Sequence, residues 1–309
     1  MYMLKTKRLY FKHILLIFLL LIMFVVCGCA GGLSRKEASK LYFNLGNAYF
    51  ELGQNEKAIS AYLRALDYDR KMRVASFNLA KTYIDTDRFS DAINILTRML
   101  RDEPRNVILL SAKAYCIYRF GDFEQALELY NQILEMDPGN VEAIFNSAVI
   151  NADEGSYTEA LEKLEILKRK RIEEDILRRI NSKIGEIYYK AGEYRQAIEY
   201  LVFTKENEPE NIANLKMLFD SYVQVRSYSS AVDVGSQIIN IEKDKDVLFQ
   251  LSFIYLTAIE DIERGISYLN QAISGGFSDR EKISQLMENL PGRMTRRISE
   301  ILRAERLLD

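Results

Sequence analysis

The strongest constraint on this chain is that it repeats itself every 34 residues. Displacing the sequence by that interval aligns Gly46, Ala80, Ala114 and Ala148, and at a second position Ala58, Ala92, Ala126 and Ala160. The register resumes after three inserted residues with Gly185 and Ala197, continues at Ala231, and loosens at Ser252 and Gly265. Pro104, Pro138 and Pro209 share one repeat position. A period of this length marks a supersecondary unit that cannot bury its apolar face alone, so stability has to come from stacking neighbours.

The repeat reads as two helices. Tyr42, Leu45, Gly46 and Tyr49 follow i, i+3, i+4, i+7 spacing, and Ala58, Tyr62 and Ala65 form a second stripe. Gly53, Gly121, Gly155 and Gly192 fall between the two helices, where a helix C-terminus favours positive φ. The prolines then close the repeat, because proline cannot continue a helix. Gly46 and Ala58 are expected to let the paired helices approach closely, with Tyr42 and Tyr62 filling the space between repeats. Phe219 and Gly235 reverse these sizes in a later repeat.

The pattern resembles the tetratricopeptide repeat over nearly all of residues 39–276, as about seven repeats beginning near Ser39, Arg73, Val107, Val141, Arg178, Ile212 and Lys245. The resemblance implies an all-α fold, a right-handed α-solenoid, closed by C-terminal capping helices over residues 277–309. "SDREKISQLMENL" reads as the first cap, with Ser278 as N-cap and Glu281 three residues later. After Pro291 and Gly292 a last amphipathic helix presents Ile298, Ile301, Leu302 and Leu308, expected to cover the final repeat.

In this family the first helix of each repeat lines a concave surface through its second, fifth, ninth and twelfth positions. Carried over by register, these are Phe43, Asn47, Phe50, Phe77, Lys81, Ile84, Tyr115, Tyr118, Phe145, Val149, Tyr189, Phe249, Phe253 and Leu256, with Lys81 and Arg119 free to meet acidic groups of a partner. A known clamp for C-terminal carboxylates uses two asparagines and three cations. Asn47 and Asn78 match, but Phe43, Ile108 and Ala112 stand where the cations belong. The expected occupant is therefore an apolar segment or an amphipathic helix held by aromatic anchors.

Ahead of the repeats, Lys5, Lys7, Arg8 and Lys12 precede an apolar run from Ile14 to Val26 that exits at "CGCAGG". A charged n-region, an apolar h-region and small residues are the parts of an export signal. Val26-Cys27-Gly28-Cys29 resembles a bacterial lipobox, which implies cleavage after residue 28, acylation of Cys29 and a linker over 29–38. Two or three acyl chains, at about 0.8 kcal/mol per buried CH₂, anchor stably. The alternative is an uncleaved signal anchor, since the run approaches the length that begins to span a bilayer. Either way the repeats face the envelope space; Ala30 in place of an inner-membrane retention aspartate favours the outer membrane.

Without residues 1–28 the chain loses four of its 42 basic residues and none of its 44 acidic ones, leaving a net charge of −6. Nucleic acid is a poor partner for such a chain. His13 is the single histidine, so the processed chain has none, and Ser-His-Asp, Cys-His and histidine-metal chemistry are excluded. No phosphate-binding glycine motif is present. No cofactor and no enzymatic activity are expected. Cys116 reads as a small buried hydrophobe, and "KRKR", residues 168–171, as a solvated helix end. The functional reading is a membrane-tethered scaffold that binds protein segments and assists assembly of envelope machinery; the alternative is an accessory to solute transport that docks a substrate-binding protein or holds a small ligand.

Overall fold

A computed structural model describes residues 33–170, 172–290 and 292–307. Within these residues the chain forms sixteen α-helices and no strand. The helices pair as α1 (Arg35–Glu51) with α2 (Asn55–Tyr68), α3 (Arg73–Asp85) with α4 (Phe89–Asp102), and α5 (Val107–Phe120) with α6 (Phe123–Met136). They continue as α7 (Val141–Asp153) with α8 (Tyr157–Lys168), α9 (Glu174–Lys190) with α10 (Tyr194–Asn207), and α11 (Ile212–Gln224) with α12 (Tyr228–Ile241). Helix α13 (Lys245–Ile254) runs on into a π turn, Tyr255–Ile259, before α14 (Ile262–Ser274); α15 (Arg280–Asn289) and α16 (Gly292–Ala304) follow. The chain divides into two compact units, one up to Leu129 and one from Tyr130.

Every hairpin turn carries a residue at positive φ. Gly53, Gly121, Gly155 and Gly192 supply four of them, and Asp87, Arg226 and Glu260 supply the other three at φ 56–59°. These side-chain-bearing residues hold a conformation that favours glycine because the turn geometry leaves no alternative. At the far end of the repeats, Glu103 and Glu208 precede prolines and have left the helical region, at φ −134°, ψ 68° and φ −132°, ψ 70°. Proline disfavours the helical region for the residue before it, so α4 and α10 stop there.

The N-terminal unit has a core of Ala58, Tyr62, Leu79, Ala80, Ala92, Leu96 and Cys116. Tyr62 packs into this core beside Leu79 and Ala80 of the next repeat. Its ring lies under Gly46 of its own hairpin, so that a Cβ at Gly46 would meet Tyr62 Cε1 at 2.5 Å. Tyr42 stacks on Tyr68, also in its own hairpin, with centroids 5.6 Å apart. Helix α1 starts at Arg35, ahead of Ser39, because Ser34 and Glu37 form a reciprocal capping box.

The α11–α12 hairpin of the C-terminal unit keeps the size rule with the partners exchanged. A Cβ at Gly235 would meet the Phe219 ring at 2.8 Å, so the large residue now comes from the first helix of the hairpin and the small one from the second. One core holds Leu201, Leu215, Leu218, Phe219, Ala231 and Val234. Helix α13 begins 33 residues after α11, yet its turn residue Glu260 lies 34 after Arg226; the π turn absorbs the extra residue. Helices α15 and α16 bury Ile283, Leu286, Met294, Ile298 and Leu302 with Leu248, Phe249 and Leu269, and Ile301 packs at the edge of this core. They cap the last repeat as expected, while Leu308 lies outside the described residues.

Two details differ from expectation here. The N-cap of α15 is Asp279, not Ser278: the aspartate carboxylate accepts from the backbone N–H groups of Glu281 and Lys282, both at 3.1 Å, which moves Glu281 out of capping-box register. The basic run after α8 is not simply solvated. Lys168 pairs with Glu165 at 3.1 Å and lies over the Tyr200 ring, and Lys170 donates to the Gly139 carbonyl at 3.0 Å.

Candidate functional site

On α3, Val74, Phe77, Asn78 and Lys81 share one helical face by their i, i+3, i+4, i+7 spacing, and on α5 Ile108, Ala112 and Tyr115 do the same. Val74 is 55% exposed and Ile108 is 65% exposed, large fractions for β-branched apolar side chains in well-formed helices. Phe43, Phe50, Phe77 and Ile84 are half-buried and rooted in the unit's core. The Phe43 ring tilts against Tyr62 with centroids 6.1 Å apart. The aromatic residues thus supply a fixed base, and the exposed apolar surface of this wall belongs to Val74 and Ile108.

The same unit has a polar recess of about 250 Å³ lined by Asn47, Phe50, Glu51, Tyr62, Asn78 and Lys81. The Tyr62 hydroxyl donates to Asn47 Oδ1 at 2.8 Å, and Asn78 Nδ2 donates to the same oxygen at 2.8 Å. Burial pushes the Tyr62 phenol above its ordinary pKa, against the Asn78 hydrogen bond, so it remains a donor. Lys81 Nζ sits over the Phe50 ring at 5.0 Å. The rim therefore carries one cation, Lys81, and one carboxylate, Glu51.

Arg119 is not free for a partner's acidic groups. It donates to the Tyr115 hydroxyl at 2.7 Å and to Asp87 at 3.2 Å, and lies over the Phe89 ring at 4.8 Å. Tyr115 meets Phe89 edge-on and Tyr118 packs on Phe123, so both rings are partly spent on their neighbours. The structure joins Phe43, Asn47, Phe50, Phe77, Lys81, Ile84, Tyr115 and Tyr118 within the N-terminal unit. Phe145 belongs to the C-terminal unit.

There, the corresponding positions are filled differently. Phe145 is half-buried, with the Arg179 guanidinium 5.0 Å over its ring. Lys190 pairs with Asp153 at 3.1 Å and Glu186 at 2.9 Å, Lys183 also pairs with Glu186, and Lys216 pairs with Glu242 and Asp244. Burial would raise the Glu186 carboxyl, but its two lysine partners outweigh that and hold it below the usual carboxylate range. Tyr189 donates to Asp220 at 3.0 Å and is pushed up to about 12 by burial and that carboxylate. Phe249 and Leu256, expected on the surface, are buried: Phe249 stacks on Phe277 at 4.1 Å, and Leu256 lies against Gly265. Phe253 and Val149 are half-buried.

Val74 escaped the sequence reading, although its place at the second position of the second repeat was the available signal. Ile108 was noted only as a missing cation. Cys29 lies outside the described residues. Among the described residues no helix is long and apolar enough to cross a membrane, and no group of three or more His, Cys, Asp or Glu is placed to hold a metal. Burial pushes the Cys116 thiol up to about 11, leaving it an unreactive core residue.

Models of the tetratricopeptide repeat match residues 39–72, 77–141 and 118–173. The protein O-mannosyl-transferase Tmtc3 of Drosophila melanogaster is 30% identical over 145 residues, which is 46% of this chain but only 16% of that protein. An uncharacterized lipoprotein of Treponema pallidum is 27% identical over 135 residues, 44% of this chain and 69% of its own length. Among solved structures, that of PilW, a widely conserved type IV pilus biogenesis factor, superposes with a TM-score of 0.59 at 15% identity, covering 69% of this chain and 98% of PilW. At that identity the likeness speaks for the fold alone. The repeat models, together with helical hairpins in the same register, make this chain a tetratricopeptide-repeat protein, a fold that serves as a scaffold for binding other proteins.

Proposed function

We propose that the protein is a membrane-tethered scaffold of the bacterial cell envelope, which holds a partner protein's segment on the α1–α3–α5 wall of its N-terminal unit and assists assembly of envelope machinery. The observation that carries the binding reading is the pair of exposed apolar side chains, Val74 and Ile108, at the same repeat position of α3 and α5, on helix faces that also carry Phe77 and Tyr115. Water gains from having such a surface covered, at about 25 cal/mol per Å² of apolar area. The envelope reading rests on the lipobox-like residues 26–29 and the apolar run before them, and is supported by the lipoprotein relative and the fold of a pilus biogenesis factor. The lipid anchor at Cys29 would hold the repeats close to the membrane surface.

The test uses the full-length chain, recovered from detergent-solubilised envelope with its bound proteins. A Val74→Ser/Ile108→Ser chain should lose a protein that the wild type retains, while melting at the same temperature. Equal recovery by both chains would refute the wall as the binding surface, and recovery of transport components alone would refute the assembly role. Cys29→Ser should move the protein to the soluble fraction; retention in the membrane would refute lipid anchoring.

A further inference from the structure

We infer that the end of the N-terminal unit next to the lipid anchor rests on the membrane and binds anionic phospholipid headgroups. This rests on acylation at Cys29, as proposed above, and concerns what the folded repeats add to that anchor. The start of α1, the end of α2, the start of α3 and the end of α4 meet at one end of the hairpins. Arg35 donates to the backbone carbonyls of Asp67 at 3.0 Å and Tyr68 at 3.4 Å, the Ser39 hydroxyl contacts Met72 Sδ at 3.2 Å, and Arg73 pairs with Glu103.

Positive charge is concentrated at this end. Residues 33–40, 64–73 and 98–106 hold ten Lys and Arg against five Asp and Glu, whereas the opposite, turn end, residues 47–60 and 81–94, holds three against five. The same stretch of the next repeat, residues 132–140, has two acids and no base, so the feature belongs to the two hairpins nearest the anchor in sequence. Lys36, Arg64, Arg70, Lys71, Arg98 and Arg101 are exposed, and among the described residues none of them forms an ion pair. Arg70, Lys71 and Arg98 line one groove of about 900 Å³ together with Leu63, Leu66 and Met99; Asp67, Asp91 and Asp102 are its carboxylates, and Asp91 is already paired with Arg88. Leu33, Leu63 and Tyr68 also stand exposed here.

Cations interleaved with leucine and tyrosine suit a headgroup layer, where the charges meet phosphate and the apolar atoms leave water. The tether is short. From Cys29 to Arg35 the chain advances six residues, a reach of about 20 Å at most. Attraction to anionic lipid fades beyond a Debye length of about 8 Å, so it acts on the charges that the tether brings to the surface, which are those of this end. The acidic turn end is repelled. The N-terminal unit therefore stands with these helix ends on the bilayer and its turns directed away.

The test uses the full-length acylated chain on vesicles of phosphatidylcholine alone, or with about one-third phosphatidylglycerol, each containing a lipid with a nitroxide on its headgroup. A dye is attached at Asp102→Cys or, at the turn end, at Glu56→Cys; the buried Cys116 does not compete for it. Quenching at 102 should be at least about threefold stronger on the anionic vesicles, and quenching at 56 weaker than at 102 on both. Arg70→Glu/Lys71→Glu/Arg98→Glu should remove the difference between vesicles at an unchanged melting temperature. The neutral Arg70→Gln/Lys71→Gln/Arg98→Gln chain should lie between, and serves if charge reversal disturbs folding. Equal quenching at 102 on both vesicles, a difference that survives the substitutions, or stronger quenching at 56 would overturn the headgroup contact while leaving the anchor. A chain that stays with neither vesicle would refute lipid anchoring, and this inference with it.

Discussion

The two units fill the same repeat positions with opposite chemistry. At the ninth position the N-terminal unit has Asn47, Lys81 and Tyr115; the C-terminal unit has Val149, Glu186, Asp220 and Phe253. In the first, the polar groups at the recess keep hydrogen-bonding capacity in reserve, and apolar side chains stand out to solvent. In the second, Lys183 and Lys190 pair with Glu186, Lys190 also with Asp153, Lys216 pairs with Glu242 and Asp244, and Tyr189 takes up Asp220. The repeat frame tolerates either filling because it is held elsewhere, by small residues under large ones. The contrast separates what folds the chain from what its surface is left free to do.

Changes to the frame should have the largest effects. Phe219→Ala empties the space under Gly235 and should cost about 3–5 kcal/mol of stability, read from urea unfolding monitored by helix content. Gly46→Ala should cost about 1–3 kcal/mol, because the new Cβ meets the Tyr62 ring and overpacking exceeds the helix-propensity gain. If Gly46→Ala were neutral, the close approach of α1 and α2 would not be what the glycine provides. Changes to the N-terminal wall should behave oppositely: Val74→Ser/Ile108→Ser should leave stability within about 0.5 kcal/mol, since neither side chain is buried.

The charged wall of the C-terminal unit should reveal itself through pH. With its pKa held below the ordinary 4.5, Glu186 contributes stability that is fully present above that value and is lost as pH falls through the lower folded pKa. Glu186→Gln should therefore be less stable than the wild type at pH 7 and should flatten the loss between neutral and acid pH. An unchanged acid profile would contradict the role of its lysine partners. A modest gain is expected at a turn: Arg226→Gly relieves a positive φ and should stabilise by about 0.5–1 kcal/mol, seen as a rise in melting temperature.

The hairpins, and four of their seven turns through Gly53, Gly121, Gly155 and Gly192, were legible in the sequence because a helix pair fixes few quantities: a period, a small residue facing a large one, and a turn residue. Phe219 and Gly235 stood out as irregular, and only packing revealed them as the same pair exchanged. The wall was legible by register alone, which gives direction but not burial. Phe249 and Leu256 have wall positions yet sink into the core, because the extra residue of the π turn and the cap around Phe277 change what covers them. Arg119 looked available, since nothing in the one-dimensional pattern places Asp87 and Tyr115 against it. Val74 went unnoticed because a valine on an apolar helix face is ordinarily core.

The central claim is that the N-terminal wall, and not the C-terminal one, meets the partner. Photo-crosslinking side chains placed in the living cell at residues 74 and 108, and separately at 183 and 216, test it directly. The account expects a discrete adduct with one envelope protein from the first pair and none from the second. Adducts from 183 and 216 alone would contradict it.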